Sequence, residues 1–81
     1  MLKIYGADLS SPSNKVRFVA NCLGLDYEYR SVNLVSGENR SEGHLKLHPG
    51  GKVPVIDDDG FVLFESNAII RYLAAKCESP L

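Results

Sequence analysis

Hydrophobic and polar positions divide this chain into short periodic stretches. Leu2-Lys3-Ile4-Tyr5 is a β-prone run stopped by Gly6, and it predicts a first strand. Ala7–Pro12 is a polar turn region, after which Ser13 or Asn14 stands where a helix cap is wanted. Val16, Val19, Ala20 and Leu23 follow at helical spacing, and Gly24 ends that helix as the residue past its C-cap. Tyr27, Tyr29 and Ser31 alternate with Glu28, Arg30 and Val32, the period-two pattern of a second strand. Asn33–Asn39 reads as loop. Ser41–Leu47 predicts a short helix with Leu45 and Leu47 as its apolar anchors; Gly43 weakens it and Pro49-Gly50-Gly51 stops it.

The stretch His48–Ser66 organises the rest. Two apolar runs, Val53–Ile56 and Phe61–Phe64, flank Asp57-Asp58-Asp59-Gly60, and Asp-Gly between such runs signals a hairpin. Pro54 cannot donate to a sheet ladder, so it belongs at a strand start or an open edge. That leaves backbone groups of Val53 free to pair with an extended, peptide-like ligand by strand addition. Ser66 is predicted as the N-cap of a last helix, Asn67–Lys76, with Ala68, Ile69, Tyr72, Leu73 and Lys76 at helical spacing. A helix N-terminus beside a hydroxyl suits a carboxylate. The order is βαβ-α-ββα. A right-handed βαβ unit and an antiparallel hairpin give an α/β fold, a four-stranded mixed sheet with helices on its faces.

Composition narrows the partners. Eighty-one residues make one domain, and 44% hydrophobic with 23% charged positions is ordinary for a globular one. A net charge of −1 gives no reason to expect nucleic acid or an acidic membrane surface. Cys22 and Cys77 lie outside any metal-ligand spacing and read as free thiols, which fits a reducing, cytoplasmic setting. Met1–Ile4 runs into a strand rather than a secretory leader, and no apolar run is long enough to span a bilayer. The three aspartates read as a solvated turn and not a metal site, and His44 and His48 as surface residues.

Four motifs carry a resemblance: Tyr5-Gly6, the run from Ser10-Ser11-Pro12-Ser13 to Arg17, Pro49-x-Gly51-Lys52-Val53-Pro54, and Glu65-Ser66-Asn67-Ala68-Ile69. Together they resemble the N-terminal, thioredoxin-like domain of the cytosolic glutathione transferases, over essentially the whole chain. The resemblance implies that residues 1–77 form that domain, and that Glu78–Leu81 is a tail or the start of a linker to an all-helical domain. It also implies a cis Val53–Pro54 peptide and a set of roles toward glutathione. Val53 would pair with the cysteinyl backbone, Glu65 with the ammonium group, Ser66 with the γ-glutamyl carboxylate and Lys52 with the glycyl carboxylate. Arg40 matches a position that can contact the glycyl end, and reads equally as a solvated charge.

The chemistry falls on Ser10–Ser13. A free thiol has a pKa of about 8.5, so a hydroxyl hydrogen bond near a helix N-terminus favours the nucleophilic thiolate. By the resemblance Ser10 takes the catalytic position, with Ser11 and Ser13 as alternatives and capping as the plainer role of Ser13. The serine run is similar to the theta, zeta and bacterial types. It is nearest zeta, from which Pro12 (a cysteine there) and Glu65 (a glutamine there) depart. No cysteine opens this helix, which argues against thioredoxin- or glutaredoxin-type disulfide exchange. The implied activity is conjugation of glutathione, as co-substrate, to a small electrophile, with a homodimeric parent. A non-catalytic binding or dimerisation module, and a glutathione-dependent isomerase or dehalogenase, remain alternatives.

Overall fold

Alternation along Leu2–Gly6 buries Leu2, Ile4 and Gly6, which marks this first strand, β1, as a central one. The computed structural model describes residues 1–8 and 10–77. After β1 come α1 (Ser11–Cys22), β2 (Tyr27–Ser31), a 3-10 turn (Glu38–Arg40), α2 (Glu42–Leu47), β3 (Val55–Asp58), β4 (Phe61–Phe64) and α3 (Ser66–Lys76). The sheet order is β2-β1-β3-β4. β1 runs parallel to β2 with Leu2 opposite Tyr27, and antiparallel to β3 with Tyr5 opposite Val55. This is the mixed sheet expected from the pattern.

The core lies between the sheet and the α1–α3 pair. Ile4 and Ile56 from the strands meet Val16, Ala20, Ile69 and Leu73 from the helices, all with no exposed surface. Val16 and Ala20 repeat at i and i+4, as do Ile69 and Leu73, so each helix turns one apolar stripe inward. Gly24, at φ +70, closes α1: its N–H donates to Asn21 O and that of Leu25 to Ala20 O, a Schellman cap. Cys22 is exposed and Cys77 half-buried, both as free thiols. Among the described residues no helix is long and apolar enough to cross a membrane.

Several expectations need correction. The cap of α1 is Ser10, not Ser13 or Asn14. Proline tolerates the first turn because its missing N–H has no helical partner there, so the helix reaches back through Pro12 to Ser11. α3 begins at Ser66 itself, and its cap position is Glu65 at φ 77, ψ 114. β4 ends at Phe64, so a single residue must turn strand into helix, and Glu65 absorbs that turn. α2 buries neither Leu45 nor Leu47 fully; its buried residue is His44.

The hairpin is tighter than the four-residue link suggested. Asp59 and Gly60, at φ 51 and 99, form a two-residue left-handed turn, and Asp57 Oδ1 accepts the Gly60 N–H at 2.8 Å. The aspartates are not all solvated. Asp58 is 8% exposed, accepting from Tyr72 OH at 2.6 Å and from Lys76 Nζ. Glu78–Leu81, read as tail or linker, lies outside the described residues.

Candidate functional site

Strand register brings three chain segments to one place. Tyr5 faces Val55, so Val53-Pro54 lies where β1 ends and the chain turns toward α1. Val55 in turn faces Phe64, which sets Glu65-Ser66 alongside. Between them opens a cleft of about 220 Å³. Pro12 from α1 lines one side, and His48, Lys52, Val53 and Pro54 line the loop side. Glu65 and Ser66 complete the wall.

Each segment offers a different chemistry. The Val53–Pro54 peptide is cis. Among the described residues, no hydrogen bond reaches the N–H or C=O of Val53, so both remain available to an extended ligand. At α3, the first helical bond runs from Ile69 N to Glu65 O at 2.9 Å. The N–H groups of Ser66, Asn67 and Ala68 precede it, and the Glu65 side chain does not cap them. They and the helix dipole favour a carboxylate, with the Ser66 hydroxyl as a further donor. The exposed side chains of Glu65 and Lys52 form no ion pair among the described residues. They supply one negative and one positive charge at the rim.

The loop that presents Val53 is held from behind by two residues that sequence reasoning missed. Asn39 Nδ2 donates to Gly51 O at 2.7 Å, and His44 Nε2 meets Lys52 O at 2.8 Å. A carbonyl only accepts, so Nε2 of His44 carries the proton. This bond is why a histidine can be 5% exposed in α2, against the surface position expected for it. Gly51, at φ +65, passes so close that a Cβ there would sit 3.2 Å from Asn39 O. His48 is not a plain surface residue either; its ring stacks on Phe64 with centroids 4.1 Å apart. A short helix with too few apolar anchors was the one signal in the sequence that something polar had to hold it.

Ser10 caps α1 beside the cleft. It is half-buried and lies two residues before Pro12, without lining the cleft itself. Its Oγ accepts from Ser13 N at 3.3 Å and from Ser13 Oγ at 3.0 Å. Ser11 is exposed, while Ser13 has no exposed surface and so cannot touch a ligand. Arg40, in the exposed 3-10 turn, is not among the cleft-lining residues.

The turn carrying Ser10 is braced from the other side. Asn14 Nδ2 donates to Asp8 O at 2.8 Å, Arg17 pairs with Asp8 Oδ1 at 3.5 Å, and the Arg17 guanidinium lies 3.9 Å over the Tyr29 ring. Burial raises the Tyr29 phenol above its ordinary pKa, and Arg17 works against that rise. Lys15 Nζ donates to Asn67 Oδ1 at 3.3 Å, joining the N-terminal half of α1 to the first turn of α3.

An open backbone pair, an uncapped helix N-terminus, one carboxylate, one ammonium and a nearby hydroxyl suit a short zwitterionic peptide with more than one carboxylate. Residues 1–75 match the family described as glutathione S-transferase, N-terminal domain. Glutathione S-transferase hmp2 of Hypomyces subiculosus is 43% identical over 79 residues, 98% of this chain and 36% of its own length. A zeta-class glutathione S-transferase of Euphorbia esula is 45% identical over 75 residues, 93% of this chain and 33% of its own. A glutathione transferase homologue of Drosophila mojavensis, solved with bound glutathione, superposes with a TM-score of 0.90 at 37% identity. That likeness covers 93% of this chain and 34% of the homologue. The chain thus spans about a third of the length of the relatives it matches.

Proposed function

This chain belongs to the glutathione S-transferase family as an N-terminal domain, and from that premise we propose that its cleft binds glutathione and activates the thiol for transfer. The tripeptide lies extended beside Val53, whose free N–H and C=O pair with the cysteinyl backbone. Its γ-glutamyl carboxylate sits on the N–H groups and hydroxyl at the start of α3, where Ser66 stands. Glu65 takes the ammonium group and Lys52 the glycyl carboxylate, as a flexible point charge. Arg40, which does not line the cleft, is given no contact with the glycyl end. The observation that carries this reading is that Pro12, Lys52, Val53, Glu65 and Ser66 line one cleft.

That pose directs the cysteinyl sulfur toward the first turn of α1. The Ser10 hydroxyl donates to the sulfur, and with the helix dipole it favours thiolate over thiol, the thiol proton passing to solvent water. The thiolate then attacks an electrophilic carbon, forming a C–S bond while the electrophile's leaving group departs or its π bond opens. In the full-length protein, an electrophile pocket and a homodimer contact complete the enzyme. The free thiols Cys22 and Cys77 suit a reducing, cytoplasmic compartment. In the full-length protein, Ser10→Ala should lower kcat on the order of 10²-fold, as loss of one donor to a developing anion does, with little change in glutathione KM. Unchanged turnover would remove Ser10 from the mechanism.

A further inference from the structure

Ser10 caps α1, and under the proposed function it also donates to sulfur. A hydroxyl has one hydrogen and two lone pairs. The cap consumes one lone pair, through Ser13 N at 3.3 Å. The other is taken by the Ser13 hydroxyl at 3.0 Å. What remains to Ser10 is its hydrogen.

We propose that Ser13 is a positioning residue that makes Ser10 a donor only, so that Ser10 can hydrogen-bond a thiolate but offers no acceptor to a thiol. The proposal rests on the Ser10 reading above. A thiol would need an acceptor for its S–H, and both lone pairs of Ser10 are occupied. A thiolate needs a donor, which is what Ser10 has left. The bond from Ser13 also polarises the Ser10 O–H, since hydrogen bonds in series strengthen one another in a low-dielectric setting.

The surroundings hold Ser13 to this task. Its side chain has no exposed surface, so water does not compete for its hydroxyl. It packs against Gly6, where a Cβ would stand 2.9 Å from Ser13 Cβ and 3.0 Å from Ser13 Oγ. Glycine at the end of β1 therefore makes the room that Ser13 fills. Among the described residues, Ser10 is the only hydrogen-bond partner of the Ser13 hydroxyl.

The test measures the pKa of the bound glutathione thiol in the full-length protein, by ultraviolet thiolate absorbance and by the pH profile of kcat/KM. Four proteins are compared: wild type, Ser10→Ala, Ser13→Ala and the double variant. Ser13→Ala should raise that pKa by about one unit, a tenfold loss of thiolate below the pKa, with glutathione KM within about twofold. Added to Ser10→Ala, it should change nothing further, because it acts through Ser10. Ser13→Cys, a near-isostere with a weak S–H donor, should fall between. If Ser10→Ala raises the pKa and Ser13→Ala leaves it at the wild-type value, the proposal is wrong while the Ser10 reading stands. A Ser13→Ala shift that persists without Ser10 also overturns it. A wild-type pKa in Ser10→Ala removes both.

Discussion

Glu65 occupies a backbone conformation, φ 77 and ψ 114, that a side-chain-bearing residue rarely adopts. Such positions cost on the order of 1 kcal/mol or more and gather at functional sites. Here the same turn opens α3 and puts a carboxylate at the cleft rim. His44 is the complementary case, a polar ring buried because a carbonyl receives it. Its removal leaves Lys52 O unpaired, so His44→Ala should cost about 1–3 kcal/mol of stability in denaturant titration. Because the bond precedes Val53 by one residue, glutathione binding should weaken roughly tenfold, about 1.4 kcal/mol, by calorimetry. Affinity at the wild-type level would detach His44 from the site. Glu65, Ser66 and Val53 were legible as a motif. His44 and Asn39 were not, because hydrophobic periodicity sees only apolar residues. What holds them is a pair of carbonyls 8 and 12 residues further along the chain.

At the scale of elements, the hairpin and α3 are joined by a charged contact that the sequence hid among three aspartates. Hydrogen bonds from Lys76 and then Tyr72 hold the Asp58 carboxyl below its usual pKa, and the Tyr72 phenol is raised by the same bond. The folded state thus prefers the charged form of Asp58. Its stabilisation is complete above the unfolded value of about 3.9 and is lost as pH falls through the lowered folded value. Asp58→Asn should therefore be about 1–2 kcal/mol less stable near pH 7, with the gap closing as pH falls below about 4. A gap independent of pH would contradict the assignment. Element types were legible from periodicity, but element starts were not. Two serines three residues apart, Ser10 and Ser13, can each cap a helix. Only the fit of Pro12 within the first turn decides between them. The start of α3 moved for a similar reason, since nothing local announces that Glu65 will take a positive φ.

For the whole molecule, two rules fixed the pairings within each half, β1 parallel to β2 across a right-handed crossover and β3 antiparallel to β4 across a short hairpin, while the antiparallel β1–β3 seam that joins the halves was not legible. The core between the sheet and the α1–α3 pair followed from the two helical stripes. The cleft did not follow from any one stretch; it exists because register sets Val53 and Ser66 on either side of the β3–β4 pairing, with α1 starting opposite. In the proposed pose glutathione lies there as an added strand with its γ-glutamyl end at α3. Its most direct test is titration of glutathione into ¹⁵N-labelled protein with backbone amide assignment. Saturable shifts are expected at Val53, Ser66 and Asn67, larger than those at Phe18 or Val35, which are exposed and do not line the cleft. Saturable binding that leaves Val53 and Ser66 unmoved, or no binding at all, would contradict it.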